Sequence, residues 1–165
     1  MSKKTFKYCA THKEDEAYMQ EMCAQGWAAV RLVEGFWTFE ACEPNQYFFR
    51  VCYLRGKKKP EIEALKKQYA AHGIQFVSQY SFWAIFRSTE PFALYSENKE
   101  REICKQIYTP MPIGAAISWL LVLAGVCLSL QVNALFWIPT VLVGLYGSMC
   151  TWLAVSYHKL LKQLS

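Results

Sequence analysis

From Gln106 to His158 the chain contains no Asp, Glu, Lys or Arg, while its 18 basic and 13 acidic residues all lie outside that stretch. The surface of a soluble domain is normally about one quarter charged. A run this long without a formal charge therefore has to be shielded from water. It divides into two apolar segments. Met111 to Leu130 is followed by a break at Gln131-Val132-Asn133, then by Ala134 to Ser156. Roughly 20 helical residues at about 1.5 Å each cover the ~30 Å core of a bilayer. The pattern predicts a transmembrane helical hairpin, with Pro139 in the first turns of the second helix, where its missing amide hydrogen costs little. The competing reading, a buried hairpin in a soluble core, asks a small domain to cover two wholly apolar helices.

Lys99, Arg101 and Lys105 precede the first segment, Lys159 and Lys162 follow the second, and the break has no charge. By the positive-inside rule, this predicts a multi-pass protein of the cell membrane with both termini cytoplasmic. Tyr108 and Tyr157 would sit at the inner interface, and Phe136 and Trp137 at the outer one. Gly114 with Ser118, and Gly144 with Gly147 and Ser148, supply small residues at helical spacing for close packing, either within the hairpin or against a partner helix. No ionisable group lies within the segments, which argues against a pump or proton relay.

The remaining length suits one modest domain. Its start, Met1 to Lys7, is charged with no apolar run behind it, so no secretory signal is expected and the domain is placed in the cytosol. A net charge of +5 suits an anionic lipid surface and is too small to argue for nucleic acid. The seven cysteines are odd in number and widely spaced, with no Cys-x-x-Cys, and are read as small buried hydrophobes in a reducing compartment. No metal site and no cofactor are predicted.

The first hundred residues repeat at an offset of 47. Glu16-Ala17 falls on Glu63-Ala64, Ala24-Gln25-Gly26 on Ala71-His72-Gly73, Val30 on Val77, Phe36 on Trp83, Phe39 on Phe86, and Glu43-Pro44 on Glu90-Pro91. Each copy reads β-α-β-β. In the first, Thr5 to Ala10 is a strand, Thr11-His12-Lys13-Glu14 a capping box, and Tyr18, Met19, Met22 and Cys23 the inner face of a helix ended by Gly26. Strands Trp27 to Val33 and Phe36 to Ala41 then turn at Glu34-Gly35. In the second, Gln46 to Leu54 is a strand, Pro60 opens a helix with Ile62, Leu65 and Tyr69 inward, and Ile74 to Tyr80 and Phe82 to Arg87 complete the unit. The expected fold is α+β, a mostly antiparallel sheet with two helices on one face, followed by the membrane hairpin. The expected divisions are a domain at 1–95 (repeats about 4–44 and 46–91), a connecting helix at 96–110 capped by Ser96, the hairpin at 111–157 and a tail at 158–165.

Aromatic residues crowd the strands. Two helices cover only one sheet face, and alternation leaves about half of the aromatics on the other, where a bare patch would be sticky. Phe36, Trp37, Phe39, Tyr47, Phe49, Tyr53, Tyr80, Trp83 and Phe86 are the expected binding face, for a hydrophobic or cationic small molecule, a second copy or another protein. Glu34 and Glu40 would pair with a cation there, aided by Trp37 or Trp83; the plainer reading makes both solvated turn or edge residues.

No catalytic constellation stands out. His12 is read as an exposed first-turn residue, His72 as favouring the negative end of its helix, and His158 as lying at the headgroups. Lys57-Lys58-Lys59, with Lys66 and Lys67, either touches anionic headgroups or is a solvated turn. Cys104 is a candidate for acylation, with an unmodified thiol as the plainer reading.

Ala24-Gln25-Gly26-Trp27, Phe36-Trp37-Thr38-Phe39, Tyr47 to Tyr53 and Trp83 to Arg87, taken in order, resemble the bacterial family known as domain of unknown function 2812. The likeness spans roughly Thr5 to Ile107; one departure is Ile74, where members often carry a second Trp. The resemblance implies C-terminal membrane spans and an association with PadR-type transcriptional regulators in Firmicutes, hence with envelope or drug stress. A looser, architectural likeness is to gyrase-inhibitor-like and SOUL-type domains, which bind ligands between tandem β-α-β-β units. The expected role is a membrane-anchored, non-enzymatic regulator or sensor; the alternative is an accessory subunit of a larger membrane complex such as a transporter.

Overall fold

The computed structural model describes residues 2–131 and 137–164. The expected turn residues Val132 and Asn133, and Phe136, lie outside the described residues. The chain divides into two compact units, Met1–Ser96 and Glu97–Ser165.

The first unit begins with β1 (Ser2–Phe6) and α1 (His12–Ala24). Strand β1 starts and ends earlier than the apolar pattern predicts, since its partner β3 (Phe36–Ala41) runs out opposite Phe6. The capping box forms in a variant way. Thr11 Oγ1 accepts the Glu14 amide at 3.3 Å, while Glu14 reaches back to the Ala10 amide at 2.9 Å, one residue beyond the usual position. Helix α1 ends at Gly26, whose φ of +83° is readily adopted only by glycine. Strand β2 (Trp27–Val33) then turns into β3 through Glu34 and Gly35, both left-handed, as a tight hairpin requires.

The second half repeats this plan with β4 (Phe48–Tyr53), α2 (Lys59–Ala70), β5 (Gln75–Tyr80) and β6 (Trp83–Ser88). The duplication extends to irregularities. The β2–β3 ladder shifts register between Ala29 and Arg31, and the β5–β6 ladder between Phe76 and Ser78, so the bulged residues are the aligned pair Val30 and Val77.

Pairing is antiparallel throughout but forms two three-stranded sheets, β1-β3-β2 and β4-β6-β5, in place of one continuous sheet. The strands at the seam, β2 and β5, run close together without laddering. Both carry the bulge, which adds local twist and turns the strand away from a further partner.

Helix α1 lies between the sheets. Toward the first, Tyr18 packs edge-on against Trp37 and Phe39. Toward the second, it meets Phe49, Val51 and Ile85 in the same core, and Glu16 accepts the Val51 amide at 2.8 Å. Helix α2 covers the opposite face of the second sheet, where Ile62, Leu65 and Tyr69 pack on Cys52, Ala84 and Phe86. One helix thus covers two faces, which places most of the aromatic excess in the interior.

The second unit holds α3 (Glu97–Tyr108), α4 (Pro110–Gln131) and α5 (Trp137–Gln163). Thr109 interrupts α3 and α4, because Pro110 and Pro112 lack the amide hydrogens that would continue the helical ladder. The expected connecting helix packs on α5, burying Cys104 with Tyr157 and Leu160. Helices α4 and α5 are long and apolar enough to cross a membrane, at about 33 and 40 Å. Their large apolar side chains are largely exposed, among them Ile113, Leu120, Leu123, Ile138, Leu142, Leu145 and Val155.

Candidate functional site

Burial divides the expected aromatic face. Trp37, Phe39, Phe49 and Phe86 are fully enclosed and belong to the core. Alternation does send Phe49 and Trp83 to the second face of their sheet, but α1 occupies that face. Tyr47, Tyr80 and Trp83 are half-buried against the same cluster, and Tyr53 packs on Trp83 with ring centroids 4.8 Å apart. Only Phe36 is widely exposed, at 63%. The expected cation clamp does not assemble. Glu34 lies in the β2–β3 turn, and Glu40 is held by the Arg87 guanidinium at 2.8 Å.

What the strands leave uncovered is the outer face of the first sheet. Phe6 and Phe36 are paired across β1 and β3 with ring centroids 5.0 Å apart, Phe6 being as exposed as Phe36, and Val33 pairs with Phe36 from β2. Tyr8 is also exposed. Phe6 falls inside the expected first strand, Thr5 to Ala10, yet is absent from the expected binding face.

A second cluster was not anticipated. His12 is 5% exposed and stacks on Trp83 at 5.0 Å, correcting its assignment as a surface residue. Asp15 accepts the Tyr80 hydroxyl at 2.5 Å. Burial pushes its carboxyl up to about 6, against the hydrogen bonds from Tyr80 and Cys9 that favour the charged form. Burial, reinforced by Asp15, pushes the Cys9 thiol up to about 12. Glu16 takes the Val51 amide and the Lys13 ammonium, the latter at 3.2 Å, and Tyr95 accepts the Tyr53 amide at 2.7 Å. Side chains therefore cap the outward amides of edge strand β4. In the sequence, Glu14-Asp15-Glu16 reads as the acidic first turn that any helix favours, and nothing local shows that a second sheet will close over it.

His72 bonds the Gln68 carbonyl through Nδ1 at 2.9 Å near the end of α2, and His158 is exposed beside Tyr108. Cys104 is fully enclosed, so acylation there is not supported.

The small residues of α4 and α5 sort by contact. A methyl group at Gly147 would lie 3.0 Å from Ser118 Cβ, and one at Gly144 3.6 Å from Val122. One at Gly125 would collide with Thr140 Oγ1, so Gly125 and Thr140, absent from the expected set, form part of the contact. A methyl group at Gly114 would meet nothing within 4 Å, and the exposed Ser148 bonds the Gly144 carbonyl at 2.9 Å.

The family described as "Protein of unknown function (DUF2812)" matches residues 11–113, well over half of the chain. The chain belongs to the DUF2812 family. The match covers α1, both bulged hairpins and α2, so the DUF2812 signature takes in the duplicated unit except β1 and runs through α3 to the start of α4. No curated protein and no solved structure matches.

Proposed function

We propose that this chain is a non-enzymatic regulatory protein of the cell membrane, anchored by α4 and α5 with both termini cytoplasmic. Its duplicated module presents the outer face of the first sheet to a protein partner. The observation that carries the anchor is the exposure of apolar side chains around α4 and α5. A core helix hides such residues, and a soluble chain would leave them in water. The basic residues flanking the segments support the orientation.

The partner face is supported by Phe6, Phe36 and Val33, which lie together on an unlayered sheet surface, whereas Trp37, Phe39, Phe49 and Phe86 are enclosed in the core. This favours a protein interface over a ligand cleft, because Trp37 is enclosed and Glu40 is already neutralised. The non-enzymatic reading is supported by Cys9, which hydrogen-bonds the Asp15 carboxylate but whose thiol burial keeps protonated and unreactive.

The test is co-purification of the full chain from native membranes in mild detergent, followed by mass spectrometry. A partner that is retained by the natural chain and lost from a Phe6→Ser/Phe36→Ser variant of unchanged thermal stability is the expected result. A partner retained equally by both removes the sheet face from the account. The open side of Gly114 favours a second reading, an accessory subunit held through its helices. That reading expects a stoichiometric partner that survives the Phe substitutions and is lost on Gly114→Leu.

A further inference from the structure

We propose that the groove between α4 and α5, at the end where α3 joins α4, binds an anionic phospholipid, with the phosphate at the basic rim and the acyl chains below it. The proposal rests on the membrane reading above. The groove is about 510 Å³ and is graded in polarity along its length. Pro112 and Ala115 of α4 and Ala154 and Val155 of α5 form its apolar part; His158, Lys159 and Lys162 of α5, with Tyr108 of α3, form its rim.

The grading follows from helical spacing. Val155, Lys159 and Lys162 recur at i, i+4 and i+7, one stripe of α5 that passes from apolar to cationic. From Thr151, which also lines the groove, to Lys162 the stripe rises about 16 Å, or half a hydrocarbon core. That length suits a glycerol backbone with its proximal acyl carbons. Ala115 and Ala154 are too small to fill the space between the helices, so the hollow is built by side-chain size. The C-terminal end of α5 carries partial negative charge, which the two lysines offset. From α3 it is the end of the helix remote from Glu97 and Glu100 that contributes to the rim. A phosphodiester supplies acceptors for the ammonium groups, a ring N–H of His158 and the Tyr108 hydroxyl. Basic pockets between membrane helices on the cytoplasmic side bind anionic lipid headgroups.

The experiment uses the full chain purified in a neutral detergent, with native mass spectrometry of adducts formed by dioctanoyl phosphatidylglycerol, dioctanoyl phosphatidylcholine and inorganic phosphate. Phosphatidylglycerol adducts are expected at concentrations at least tenfold below those needed for phosphatidylcholine. A Lys159→Gln/Lys162→Gln variant is expected to weaken phosphatidylglycerol by about 30-fold. Ala154→Phe, which keeps every charge but fills the hollow, is expected to abolish the preference. Equal retention of the two lipids, or a preference unchanged by either variant, overturns the site. Displacement of the lipid by equimolar inorganic phosphate overturns the lipid assignment in favour of a simple anion site. Failure of the membrane reading shows separately, as a full chain that stays monodisperse when detergent is omitted.

Discussion

Asp15 spends its hydrogen bonds holding α1 to the second sheet through the Tyr80 hydroxyl, and its carboxyl titrates near 6 because burial disfavours the charge. A folded-state value raised above the unfolded one gives stability that is fully present below about pH 4 and is lost as pH rises through about 6. Asp15→Asn keeps an acceptor for Tyr80 and removes the charge. The variant is therefore expected to be more stable than the natural chain at pH 8, by about 3 kcal/mol, with the difference closing toward pH 4. Thermal unfolding across that range measures it, and a gap independent of pH would contradict the assignment. Glu16 contributes through a backbone contact. It satisfies the Val51 amide, and Glu16→Ala leaves a backbone donor without its acceptor, at a cost of about 1–3 kcal/mol in the same assay.

At the scale of elements, the two helix-ending glycines separate conformational from steric cost. Gly26 and Gly73 both have φ near +80°, but a methyl group at Gly26 would sit 3.2 Å from the Cys42 carbonyl, while Gly73 has no neighbour within 4 Å. Gly73→Ala is expected to cost about 1 kcal/mol from the left-handed backbone alone. Gly26→Ala should cost measurably more, and equal shifts in thermal midpoint would show that the contact with Cys42 is unimportant. In the helical hairpin, Gly125→Val forces Thr140 aside and should destabilise the α4–α5 pair, whereas Gly114→Val meets open space and should not. Detergent-dependent thermal melts distinguish the two.

For the whole molecule, what the sequence made legible was local or periodic. The 47-residue offset anticipated the order of elements, the Glu34-Gly35 turn and the glycine stops, because these follow from residues close together in the chain. It even aligned Val30 with Val77, the two bulges, though only the ladders show what those residues do. The division into two sheets and the double role of α1 were not legible. They depend on how the two repeats meet, and a helix covered on two sides reads much like one covered on one. That single contact moved Trp37, Phe39 and Phe49 from an expected binding face into the core, while α2 covers Phe86, and Phe6 and Phe36 are left outside.

The charge-free stretch remains the feature on which the account turns, since α4 and α5 expose the very side chains that water disfavours most. Alkaline carbonate extraction of membranes from cells making the full chain tests this most directly. The account predicts that the protein stays in the pellet and is released only by detergent. Release into the supernatant as a monodisperse species would contradict it.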